Sequence, residues 1–218
     1  MISYSFAIHL PLLQGEAPTV AALRQESSGR LVVVRIGEPQ ERHFHTGVMS
    51  YVATLAEEIA TIDSSASILA RLVFSGLAFG PGELAQLLDG RWPEESYATV
   101  AVGQGAGRAR LDAVSDGLGQ GLPLNRFHVP RAGIIAALNL AYNQPGKLVV
   151  ALRPSDAAKL REQMASFAER ANRIPANDPE AVMEYPGEGM VMALGVGVWH
   201  AFSAAAAMRQ WQSERLGG

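Results

Sequence analysis

The chain opens on an alternation. Ile2, Tyr4, Phe6, Ile8 and Leu10 fall on one side of an extended backbone and Ser3, Ser5, Ala7 and His9 on the other. This period of two predicts a half-buried strand. Residues 31–36, bounded by Gly29 and Gly37, predict another strand, and the short apolar set around Val20 and Leu23 suggests one or two helical turns between them. In 47–62 the spacing changes. Met49, Val52, Leu55, Ala56, Ile59 and Ile62 share one helical face, with Thr46 placed to cap it. Asp63, Ser64 and Ser65 break that pattern. The run 66–77, apolar nearly all round, predicts a second and buried helix, and 81–90 a short third.

Strand and helix signals then alternate. Residues 97–102 predict a strand, 103–107 a glycine-rich loop, 108–118 a weak helix and 122–129 an extended segment. Pro130 opens a helix carrying Ile134, Ile135, Leu138 and Tyr142. After a strand at 147–152, Ser155 caps a helix whose face is Leu160, Met164, Phe167, Ala168 and Ala171, with Asp156 in the dipole-favoured first turn. A proline-bearing loop occupies 172–189.

The run 189–208 holds no charged side chain and is long enough to span a bilayer. Within it, Met190, Met192, Leu194, Val196 and Val198 alternate with Val191, Ala193, Gly195 and Gly197. That size alternation predicts a core strand with a small face, followed from Trp199 by an alanine-rich helix, rather than a membrane span. Together the elements predict an α/β (or α+β) fold. It is a single domain over 1–218, with a mixed sheet of about five to six strands covered by helices. A division of the chain is conceivable only near 90–95.

Composition narrows the function classes. The 218 residues are 48% hydrophobic and 18% charged, which describes an ordered globular chain. A net charge of −3 gives no footprint for nucleic acid or an anionic membrane. The absence of cysteine excludes disulfides, thiolate metal sites and a cysteine nucleophile. Basic residues are arginine apart from Lys147 and Lys159, and alanine is abundant, as in GC-rich bacterial coding. The N-terminus lacks a signal-peptide pattern, so the expected location is cytoplasmic.

The candidate chemistry is modest. Gly103, Gly105 and Gly107, with Arg108, follow a strand, and their amides can cradle an anion; the arginine stands where a dinucleotide fingerprint needs glycine. Arg126, His128 and Arg131 cluster at a helix start, where two guanidiniums would hold an anion and His128 would act as general acid or base. His200 was placed at a strand-to-helix junction, a favoured position for a catalytic group. Glu41, His43 and His45 have metal-ligand spacing without a third ligand, so no metal or cofactor is assigned. Glu184 and Glu188 lie in the long loop with nothing to pair them, and Ser75-Gly76 lacks the context of a nucleophile elbow. The sequence leaves two readings: a small-anion-binding protein, enzymatic or not, or a non-catalytic protein-interaction module.

Overall fold

The computed structural model describes residues 2–11, 15–41, 43–63, 71–76, 97–103, 109–112, 126–173 and 186–216. β1 (Ser3–His9), β2 (Thr19–Gln25) and β3 (Leu31–Gly37) form an antiparallel meander. A π-helical turn, Phe44–Met49, leads into α1 (Ser50–Ile62), so the helix proper starts later than the Thr46 cap predicts. β4 (Arg71–Ser75) then pairs parallel with β1 on the side away from β2, and β5 (Tyr97–Gly103) pairs parallel with β4. β6 (Arg110–Asp112) is antiparallel to β7 (Arg126–Pro130), which is parallel to β5. α2 (Arg131–Asn143), β8 (Leu148–Val150), α3 (Pro154–Arg173) and α4 (Gly189–Leu216) complete the chain.

The result is the expected α/β class, built on one mixed sheet with helices on both faces. Among the described residues it has eight strands, in the order β6-β7-β5-β4-β1-β2-β3-β8. The sheet is wider than expected because β2, β4 and β6 were not read as strands. β2 and β4 are buried on both faces, so their sequences lose the alternation that marks a half-exposed strand. The helices expected at 66–77 and 108–118 are therefore corrected at 71–75 and 110–112, and the helical turns expected near Val20 and Leu23 are β2. The third helix at 81–90 and the possible division at 90–95 lie outside the described residues.

Each face has its own core. On one, Tyr4, Phe6, Ile8, Val20, Ala22, Leu72 and Phe74 pack against Val48, Val52, Leu55 and Ile59 of the α1 region. On the other, Ala7, Ala21, Leu23 and Val33 meet Leu138, Leu160 and the first half of α4. Further along that face, Val73, Val100, Phe127 and Val129 meet Ile134, Val196 and Trp199.

α4 overturns the sequence reading most clearly. The predicted strand and helix are one 28-residue helix, and residues 190–200 are buried without interruption. Its position explains the misleading alternation. α4 lies between the sheet and α2, so it needs small residues on two opposed sides. Two residues advance a helix by about 200°. A β-carbon on Gly195 would press on Ile134 and Leu138 of α2, and one on Gly197 would press on Ala7 and Leu23 of the sheet. A helix thinned on both sides thus imitates a strand. By length and composition Gly189–Gln210 could cross a membrane; 67% of its apolar window is buried within the protein itself.

Candidate functional site

β1, β3, β4, β5, β7 and β8 point the same way, so their carboxyl ends share one edge of the sheet. At that edge the chain leaves β1 for β2 on one side and β4 for β5 on the other. This divergence between neighbouring parallel strands is where open α/β sheets tend to leave a binding crevice. Three polar residues lie in register across it: Ser75 on β4, His9 on β1 and Thr19 on β2. All three are buried, at 0%, 2% and 1% exposure.

His9 Nδ1 lies 3.1 Å from Ser75 Oγ, a hydrogen bond whose donor is set by the imidazole tautomer and whose geometry is fixed by strand pairing. An imidazole beside a hydroxyl is also the pairing that activates an oxygen nucleophile. Here both groups sit below the surface. Thr19 Oγ1 is buried with no hydrogen-bond partner. A β-carbon on Gly189 would stand 2.5 Å from that oxygen, so glycine is what lets the start of α4 descend onto Thr19.

Just before α4, Glu188 is 1% exposed. Its carboxylate accepts from Arg131 Nη2 at 2.6 Å and from Arg170 Nε and Nη2 at 3.1 and 3.0 Å. Removing a carboxylate from water is costly, and two charge-assisted partners offset that cost. Arg131 also stacks over Phe167, 4.7 Å from the ring centroid. α3 reinforces the arrangement: Gln163 accepts from the Met190 N–H at 3.0 Å, satisfying an otherwise orphan donor in the first turn of α4. Lys159, about one turn earlier, pairs with Glu38 beyond β3 at 2.5 Å. α3 thus runs along the carboxyl edge from β3 to α4.

The structure keeps Arg126 and His128 together and separates Arg131 from them. Phe127 and Val129 pack toward α4, so Arg126 and His128, which alternate with them, lie on the opposite face of β7. Arg131 begins α2 and reaches Glu188 on the α4 side, so it does not join Arg126 and His128. Gly103 ends β5 at the carboxyl edge, while Gly105, Gly107 and Arg108 lie outside the described residues. His200 is not at a strand-to-helix junction but inside α4, edge-on to Phe127 at 6.0 Å. Burial, helped by the charge of Arg71, lowers its pKa to about 4, so it is neutral over the ordinary pH range. That is the behaviour of a core histidine. Sequence reasoning singles out neither His9 nor Thr19 and sets Ser75 aside for want of a nucleophile elbow; only the register of three strands unites them. Among the described residues, no group of three acidic or histidine side chains could hold a metal ion.

The α1 face differs. A cavity of about 390 Å³ lies beside the end of α1, lined by Tyr4, Arg24, Val34, Arg35, Ile59, Ile62, Asp63 and Ala151. A second, of about 370 Å³, lies on the other side of Arg35 near Tyr51, Arg153 and Asp156. Burial, then the charges of Asp156 and Glu58, raise the pKa of Tyr51, which keeps its hydroxyl a donor. Compared with known proteins, the sequence matches no family model and no curated protein.

Proposed function

We propose that this chain binds a small anionic ligand at the carboxyl edge of its sheet, in front of the Ser75–His9–Thr19 row. The observation that carries the reading is the row itself. Buried polar side chains are costly, yet here three stand side by side where strand connections diverge, next to the buried Glu188. The sign of the ligand follows from what stands at this edge. The side chains of Arg131 and Arg170 keep 17% and 29% exposure, and the amino end of a long helix favours negative charge. His9 is the group positioned to exchange a proton with the ligand, in place of His128. In this reading the protein is soluble and bacterial, works in the cytoplasm, and uses α4 as a core helix.

Thermal unfolding with inorganic phosphate, pyrophosphate, citrate and ATP tests the reading. At least one anion should raise Tm, and the rise should vanish in His9→Gln and shrink in Arg170→Met. No rise with any of them, together with a stable protein complex recovered from native extract, would favour the second reading, a non-catalytic interaction module. That alternative rests on Leu140 and Tyr142, which α2 leaves 58% and 70% exposed.

A further inference from the structure

Arg24 and Arg35 face the cavity beside α1 for a structural reason. In β2 and β3, Ala22 pairs with Arg35 and Leu23 with Val33, so Val34 is an extra residue and the ladder bulges there. A bulge re-aims side chains. It turns Val34 and Arg35 to the same side as Arg24, toward the last turn of α1. Arg24 Nη2 is held by Glu26 at 3.0 Å. Arg35 donates to the Val34 carbonyl at 2.9 Å, and its Nε stands 3.5 Å from Glu58. The Nε groups of both arginines are buried without a hydrogen-bond partner. Both side chains remain partly open, at 31% and 26% exposure.

The rest of the lining fixes the ligand's shape. Asp63, the one carboxylate among the lining residues, accepts from the Tyr4 hydroxyl at 2.8 Å. Val34, Ile59, Ile62 and Ala151 supply the apolar part of the lining. Ile62 is 75% exposed, an isoleucine standing in water at the cavity's rim. A guanidinium fork matches a carboxylate, and the cavity volume is of the size that holds a small molecule. We propose that this cavity is a binding site for a small organic acid, whose carboxylate bridges Arg24 and Arg35 while a short apolar body covers Ile59 and Ile62. The site lies on the opposite face from the Ser75–His9–Thr19 row and does not depend on it.

Titration of the full chain with acetate, butanoate and hexanoate, followed by calorimetry or amide shifts, tests this. Hexanoate should bind saturably and more tightly than butanoate, and acetate least. Hexylamine, with the charge reversed, should not bind. Arg24→Gln and Arg35→Gln should each weaken hexanoate by about tenfold or more. Ile62→Ser, at an exposed position, should fold normally and lose the dependence on chain length, so the test survives if an arginine variant does not fold. His9→Gln and Arg170→Met should leave hexanoate binding unchanged, which separates this site from the carboxyl edge. The proposal is overturned if hexanoate shows no saturable binding, if hexylamine binds equally well, or if Ile62→Ser keeps the full chain-length dependence.

Discussion

Two pairs of arginines stand on opposite faces of one sheet, and they are used differently. Arg131 and Arg170 converge on a single buried carboxylate, Glu188, and tie α2 and α3 to the start of α4. Arg24 and Arg35 each have a separate carboxylate at the flank and look across an open cavity. The number of covering helices accounts for the contrast. Among the described residues, α2, α3 and α4 cover one face, and there both guanidiniums are held on Glu188 and keep only their outer parts, 17% and 29% exposed, toward the carboxyl edge. Over β1 to β3, the last turn of α1 leaves room beside it, so charge there stays available to a ligand. Among the described residues, the same residue type is first a fastener where three helices meet and an open binding group where α1 is the covering helix.

The sharpest way to break this contrast is to remove the shared carboxylate. Glu188→Ala leaves two guanidiniums converging on an empty, desolvated space and should cost about 3–5 kcal/mol in urea unfolding. A loss below about 1 kcal/mol would mean that the cluster is no fastener.

Acid tests the closed face through His200. Its pKa is about 4 in the folded protein against an ordinary 6.5, so between these values the unfolded chain binds more protons. Stability should therefore fall as pH drops through 6.5 toward 4, by about 3 kcal/mol in total from this group. Measured as unfolding free energy against pH, His200→Phe should flatten that slope. An unchanged slope would show that His200 is not held neutral by its burial.

Packing gives the next effect. Gly197→Ala would set a methyl against Ala7, whose own β-carbon is fixed to a central strand, and should cost about 1–3 kcal/mol. Gly195→Ala meets only side-chain atoms of α2, nearest the methyls Ile134 Cγ2 and Leu138 Cδ1, and none as close as the Leu23 contact at Gly197, so it should cost less. The reverse order would contradict the placement of α4 between sheet and α2. Ile62→Ser on the open face should change stability least, within about 0.5 kcal/mol, because nothing covers that side chain.

What the sequence revealed follows the same division. α2 and α3 have one face covered and one less so, and their periodicity is visible in the chain. β1 keeps its alternation although residues 6–9 are buried on both faces, not half-buried as expected, because its second side is built from Ser5, Ala7 and His9. β2, β4 and α4 are enclosed on both sides, and enclosure erases the polar half of the pattern. α4 went further, because Gly195 and Gly197 serve opposite neighbours and wrote a strand-like period into a helix. The site was harder to read for a different reason. His9, Thr19 and Ser75 carry no local motif, and Glu188 had no visible partner, because Arg131 and Arg170 lie in separate helices. Only the order of β4, β1 and β2 brings the row together. Arg126 and His128 do share a face of β7, as strand alternation requires, but Arg131 opens α2 and turns to the α4 side, so closeness along the chain did not make the three one group.

The placement of the working site at the carboxyl edge is best tested by hydrogen–deuterium exchange of the intact chain with and without the most stabilising anion among phosphate, pyrophosphate, citrate and ATP. The account predicts added protection at 9–11, 75–76 and 187–192, with 24–25 and 59–63 unchanged. Protection absent from the first three segments, or confined to 126–128, would contradict it.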